Sequence, residues 1–477
     1  MIFLRRLFPK AAVCKKRSGQ ITVYLALVFL VFTGLYLVCL QSVKDKLQRF
    51  QAEQAVEAGL FSLFSEYEPH LFAQYNLFYL DTSFGSGTEK TEEICSHLWH
   101  FIDQNITGNS GNGLYGLELS GVNADTFVRA TDGKGAVFYH QAIQVMKDKV
   151  GFSLAEDWVL QDMMQENIEE QSARFEKDCA AYEGKVVDYA DEEEELSEEA
   201  EGFDGLWKGF TLSHAVSKTD ALSEKAINLE RVPSKRELSV GFGVADGNED
   251  NLLQKQWFIS YLCEHLTQAQ ERLEEPRADG YLDYQLEYVI AGEDSDKKNL
   301  DQVLQKLLLV REGINYLYLL THPEMYETAE KLAKVLGGLT GSTALLESLK
   351  HLILLGWAYG ESVVEVRQLL NGDELAVIKT KEDWQVPLSG LLKLMKKLDT
   401  YDAQKKKQEG ITYEMYLRMF LSFQSAETLS MRAIDIIEGE IRRLEGCEQI
   451  HMDHCIEQLT TQVWMQELYL ERIYQYE

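Results

Sequence analysis

Residues 15–46 read KKRSGQITVYLALVFLVFTGLYLVCLQSVKDK. Three basic residues, Lys15, Lys16 and Arg17, stand before Ser18-Gly19. No charge follows from Ile21 to Leu40, and charge returns at Lys44. An uncharged helix of that length spans about 30 Å, the thickness of a bilayer's hydrocarbon core. A secretory signal has a shorter apolar region, about 7–15 residues, and a small-x-small exit. The exit here, Leu37-Val38-Cys39-Leu40-Gln41, offers no such site, and Val38 stands where a lipoprotein signal needs a small residue before Cys39. Residues 21–40 therefore read as a retained transmembrane helix in contact with the lipid bilayer. They offer no polar face that would suit a soluble core helix.

The flanks give an orientation. Arg5, Arg6, Lys10, Lys15, Lys16 and Arg17 make residues 1–20 a basic leader without an acid. After the span the charges are mixed, beginning Lys44, Asp45, Lys46, Arg49 and Glu53. The excess of positive charge places the N-terminus in the cytoplasm and the C-terminal region outside it. Localisation is thus a cell membrane, crossed once.

Beyond the span lie 41 of the 47 basic residues and all 77 acidic ones, a net charge of −36. Such a surface repels phosphate, so no nucleic acid is expected as a partner. A composition 45% hydrophobic and 11% aromatic excludes a disordered chain. Five cysteines (Cys95, Cys179, Cys263, Cys447 and Cys455) lie beyond the span, an odd number with no C-x-x-C. Cys447 and Cys455 fall in what reads as a helical pattern, about 12 Å apart and beyond disulfide reach.

The apolar helix continues as a stalk over residues 41–69, through Val43, Leu47, Phe50, Leu60, Leu63 and Phe64, until Glu68-Pro69 ends it. Ala52, Ala55 and Ala58 would admit a closely packed partner. A first extracytoplasmic region, residues 70–187, carries an aromatic stretch, a short strand at Leu114, Leu117 and Leu119, and a helix from Phe138 to Val150. Asp188 to Glu201 holds nine carboxylates and no base. It lacks the alternating ligands and tight glycine turn of a calcium loop, so residues 188–205 read as an acidic linker. Residues 206–477 form a second, helix-rich region. In it Leu282 to Ile290 alternates apolar and polar residues, the pattern of a half-buried strand. Leu300 to Ile314 is an amphipathic helix, and Thr321-His-Pro-Glu324 reads as a capping box. Leu352 to Tyr359 is a core helix too short to span a bilayer. Tyr413 to Glu445 reads as one helix and Leu468 to Tyr476 as a strand. A basic patch runs from Lys393 to Lys407. The fold class expected is α+β and mostly helical: one N-terminal transmembrane helix, a long stalk helix, and an ectodomain with a few strands.

No arrangement for catalysis emerges. There is no phosphate-binding glycine loop, no H-E-x-x-H and no G-x-S-x-G. On a helix, His451 and His454 would share a face that could hold one ion, but they lack C-x-x-C partners, and no metal or cofactor is assigned. Glu361 and Glu365 are a four-residue step apart, read here as solvated charges on a surface helix. The chain reads as a protein that is not an enzyme.

SGQITVYLALVFLVF with its basic lead, and QAEQAVEAGLFSLFSEYEPHLFAQYNLFYLD behind it, together resemble the N-termini of TadE- and TadG-like pseudopilins of Tad pilus systems. The chain is more similar to a family of uncharacterised Gram-positive membrane proteins often grouped with them. That family also has segments like YLDYQLEYVIAGEDSDKKNL, LLLVREGINYLYLL, LILLGWAYGESVVEVRQLLNG and YEMYLRMFL. The resemblance implies an extracytoplasmic accessory or minor pseudopilin with protein partners in the cell envelope. It further implies prepilin-peptidase cleavage between Gly19 and Gln20. Major pilins carry a glutamate five residues after the cut, and here that residue is Tyr24, which cannot neutralise a neighbour's new amine. A buried, unpaired ammonium is costly, so a tip, priming or accessory role is implied rather than a repeating subunit. The alternatives are a membrane-tethered ligand-binding or sensory module, and an extracytoplasmic hydrolase with dispersed residues, of which Glu361 and Glu365 would be the first to test.

Overall fold

The computed structural model describes residues 18–107, 116–150, 175, 177, 215–216, 222–243, 251–273, 277–336, 343–376, 379–391 and 410–476. Lys15, Lys16, Arg17, the acidic run, the basic patch from Lys393, and Leu114 lie outside them, as do Cys14 and Cys179. Helix predominates, with a four-stranded sheet.

The helices are α1 (Ser18–Phe64), α2 (Pro69–Tyr75), α3 (Thr91–Thr107) and α4 (Asp132–Val150), then α5 (Leu252–His265), α6 (Ala269–Arg272), α7 (Gln285–Ala291) and α8 (Asp296–Thr321). Four more follow: α9 (Pro323–Leu336), α10 (Thr343–Leu370), α11 (Tyr413–Ser422) and α12 (Ala426–Ile441). The strands are β1 (Leu80–Asp81), β2 (Leu119–Arg129), β3 (Cys455–Met465) and β4 (Leu468–Gln475). They form the order β1-β3-β2, with β4 paired to β3.

The chain divides into two compact units. The first takes in residues 1–66, 91–125 and 460–474, the second residues 67–90, 126–459 and 475–477. β2, β3 and β4 contribute residues to both.

In the first unit α1 is a single 47-residue helix. Its apolar first half is exposed, including Tyr24 at 69% and Phe29 at 72%. Its last turns are different. Ala52, Ala55, Val56, Gly59, Leu60 and Leu63 form a buried stripe at helical spacing, packed on α3. α3 answers with Ile94, Leu98, Ile102 and Ile106, one residue per turn. Small residues let the axes approach: a Cβ on Gly59 would lie 2.6 Å from Ile102 Cγ1. The stalk expected over residues 41–69 is thus half of α1, ending a turn earlier at Phe64.

The second unit carries the larger core. β1 pairs antiparallel with β3, Leu80 opposite Ile456 and Asp81 opposite Cys455. α8 and α10 pack along each other and bring Leu304, Leu307, Val363 and Val366 into the interior. α7 sits among α8, α11 and α12.

Five sequence expectations change. Leu282 to Ile290 is not a strand. α7 occupies most of it, closed by Gly292 at φ 75°. The alternation is not one of inside and outside, because Asp283, Gln285 and Glu287 are all buried. Asp296 draws this segment in by accepting Asp283 N–H at 2.9 Å and Tyr284 N–H at 3.1 Å. Thr321 does not cap α9. Its hydroxyl donates back to Leu317 O and Tyr318 O, and Pro323 opens the helix. Tyr413 to Glu445 is two helices, because Ser425 accepts Thr428 N–H and caps a fresh start. Cys447 lies in a turn and Cys455 opens β3, and both are free thiols. The strand near Leu117 begins at Leu119 and runs on to Arg129.

Candidate functional site

Glu361 and Glu365 are not surface charges. They are 0% and 3% exposed, on the face of α10 that meets α8. A four-residue step puts both carboxylates on one side of the helix, and that side turns inward. α8 supplies Arg311 and Asn315, one turn apart. Arg311 Nε donates to Glu365 Oε2 at 2.9 Å and its terminal nitrogen to Oε1 at 2.7 Å. Its other terminal nitrogen reaches Tyr416 Oη of α11 at 3.1 Å. Asn315 Nδ2 donates to Glu365 Oε2 at 2.7 Å and to Ser362 Oγ at 2.8 Å.

Lys379, from the loop after α10, closes the cluster. Its ammonium donates to Glu361 Oε1 at 2.7 Å, to Asn315 Oδ1 at 2.9 Å and to Glu365 Oε1. Glu361 also accepts the backbone N–H of Gln385 and Val386. Two carboxylates meet two cations, and every carboxylate oxygen is engaged. Burial alone would raise both acids. Arg311 and Lys379 overcome it at Glu365, which they hold at about 2. At Glu361 burial prevails over Lys379, and the carboxyl lies above its ordinary value. The adjoining cavity, between Arg311, Asp373, Leu375 and Lys379, measures about 20 Å³, room for about one water. Saturated acceptors and so little space make the pair a poor acid–base catalyst and a good clamp between helices.

A second cluster gathers around Arg236. Its guanidinium bridges Glu438 Oε2 at 2.9 Å and Asp453 Oδ1 at 2.7 Å. Ser239 N–H donates to Asp453 Oδ2 and Met452 N–H to Glu438 Oε2. His451 and His454 stand beside it with ring centroids 5.4 Å apart. His451 precedes a single 3-10 turn, Met452–His454, and His454 ends it, so the two do not share a face of an α-helix. His451, Glu438 and Asp453 present donor atoms close enough for one ion, but Arg236 already supplies the positive charge that both carboxylates need. The cluster borders a surface cleft of about 410 Å³.

Of the residues singled out in the leader, Gly19 and Gln20 lie in the first turn of α1, and Tyr24 projects from its exposed half. Sequence reasoning missed Arg311, Asn315 and Lys379. The signal for Arg311 was present in LLLVREGINYLYLL: a charged pair inside a run otherwise fit for a core. Lys379 carried none.

Residues 189–467 match the model of a family described as a family of unknown function, DUF5702. The match takes in more than half of the 477 residues, and the chain belongs to that family. Both buried clusters fall inside the matched range, and α1 falls outside it. No curated protein and no solved structure matches the chain.

Proposed function

We propose that this member of the DUF5702 family is a single-pass, membrane-anchored structural or assembly protein of the cell envelope. Its leader is cytoplasmic, its folded units are extracytoplasmic, and its role is that of an accessory or minor pseudopilin-like component of a Tad-like pilus or secretion system. The observation that carries this reading is the division of labour along α1. The helix is long and apolar enough at its start to cross a membrane, with that window wholly exposed. The same helix, without interruption, buries its last turns against α3. A rigid connection between a lipid-facing segment and a packed stalk suits a protein that transmits position from the membrane to an assembly. The closed geometry around Glu361 and Glu365 supports a structural rather than a hydrolytic use of those acids.

Intact mass and N-terminal sequencing of the protein from native membranes, with and without prepilin peptidase, test it. A start at Gln20 that depends on the peptidase supports the pilin pathway. A start at Met1 removes the pilin arm and leaves the anchor. A start beyond Leu40 overturns the anchor as well.

A further inference from the structure

In the second unit the fold brings Glu68 and His70 to Cys447, with 379 positions of sequence between Glu68 and Cys447. One donor atom from each lies within 4.8 Å of the other two. The local structure explains the meeting. Glu68 is the N-cap of α2 and accepts His70 N–H at 3.1 Å, so both side chains leave the same turn. Pro69 sets the first helical residue between them. Cys447 sits in the turn after α12, held by its own N–H to Leu444 O and by Ile450 N–H to its carbonyl. Its thiol donates to Glu68 Oε1 at 3.8 Å. Cys447 is buried, whereas Glu68 and His70 are half-buried, so the cluster has one side accessible from solution.

The surroundings suit a cation: the carboxylates of Glu68, Glu448 and Asp81 act on the thiol of Cys447. This is the opposite of the Arg236 cluster, where a guanidinium answers the acids. A thiolate sulfur, an imidazole nitrogen and a carboxylate oxygen together are the donors of zinc, and three protein ligands leave a fourth position for water or another ligand. Bond lengths of about 2.0–2.3 Å put neighbouring donors of a tetrahedral zinc roughly 3.3–3.5 Å apart. The sulfur–carboxylate separation needs to close by only a few tenths of an ångström.

We propose that Glu68, His70 and Cys447 form a three-ligand site for a thiophilic divalent cation of the zinc class. On binding, the metal–sulfur bond replaces the S–H bond and the thiol proton leaves to solvent. The ion then ties the start of α2 to the turn after α12 and stabilises the folded state by mass action.

The test uses the full chain in detergent micelles, titrated with Co²⁺ alone and then with Zn²⁺. The expected result is a sulfur-to-cobalt charge-transfer band that saturates at one equivalent and is bleached by Zn²⁺. C447S should abolish the band, although Cys14, Cys39, Cys95, Cys179, Cys263 and Cys455 remain. H70A should weaken cobalt binding by at least about tenfold, on the scale of losing a supporting contact in a metal site, and leave melting of the metal-free protein unchanged. No band in the unmodified chain, a band that survives C447S, or an affinity unchanged in H70A overturns the proposal. Should C447S fail to fold, H70A at its half-buried position decides the matter.

Discussion

Arg311 and Glu365 form a two-pronged ion pair in which each partner is almost wholly buried, 2% and 4% exposed at the side chain. Such a pair costs much to desolvate and is not in itself a large net stabiliser, but removing one partner strands the other. E365Q and R311M are each expected to lower unfolding free energy by about 3–5 kcal/mol. The double variant R311M/E365Q should lose less than the sum of the two, because no lone charge is left beside α10. Denaturant unfolding of the four proteins in a double-mutant cycle measures the coupling, and simple additivity would refute it.

Several acids have the opposite problem, and they give a pH dependence. Burial raises Glu287 to about 7, against hydrogen bonds from Ala269 N–H and Tyr413 Oη. Burial also raises Asp435 to about 6 and Glu457 to about 7. A carboxyl raised in the folded state binds its proton more tightly there than in the unfolded chain. Stability therefore falls as pH climbs from the unfolded value, about 4, through 6 and 7. Glu365 works the other way: its contribution is present above its unfolded value and lost as pH drops toward 2. The two trends put maximal stability near pH 4, about the unfolded carboxylate value. E287Q removes one titration worth on the order of 3 kcal/mol, so melting temperature against pH should flatten between pH 5 and 8. A slope equal to that of the unmodified protein would sink this assignment.

The apolar helix was legible because its signal is unbroken and local. Ala52 and Ala55 likewise announced a close partner, and α3 is that partner. What failed were readings that depend on which way a polar side chain turns. Asp283, Gln285 and Glu287 looked like the wet edge of a strand, yet each points inward. Glu361 and Glu365 looked solvated because their counter-charges, Arg311 and Lys379, are distant or unremarkable in sequence. The break at Ser425 was hidden because apolar spacing resumes beyond it, while the serine's capping bond is a local choice that periodicity does not see. β2 was missed beyond Leu119 because its burial does not alternate regularly.

The α1–α3 contact makes its own demand. A side chain at Gly59 must displace Ile102, whose backbone nitrogen would lie 3.3 Å from the new Cβ. G59L is expected to cost about 1–3 kcal/mol as overpacking. Its effect should be confined to α1 and α3, so hydrogen exchange is the measurement. Faster exchange in residues 94–106 is expected, with α8 and α10 unaffected; protection unchanged in α3 would show that the contact is dispensable.

The proposed orientation rests on the leader's charge. Replacing Lys15, Lys16 and Arg17 together with glutamate removes half of the six positive charges and adds three negative ones. The positive-inside bias should weaken and a fraction of the chains should insert reversed. Labelling of a cysteine placed at an exposed position beyond α1, in intact cells, reads the fraction outside. Full labelling in both proteins would mean that the leader does not set topology.

Arg236 bridges Glu438 and Asp453, and its removal should be felt through them. Both acids are buried, at 3% and 4% side-chain exposure. Burial acts to raise Asp453, but the Arg236 guanidinium and Ser239 N–H hold it below its ordinary value. In R236M neither acid has that cation, so at pH 7 two carboxylates stand desolvated a few ångströms apart. The loss expected is about 3–5 kcal/mol. The sign with pH follows. Without the guanidinium the folded value of Asp453 rises, the folded state takes up protons more readily, and the deficit shrinks as pH falls toward 4. R236K should recover only part of the loss, since an ammonium cannot present the planar fork that spans both acids. Unfolding measured at pH 7, 5.5 and 4 separates this from a packing defect, which would stay constant across that range.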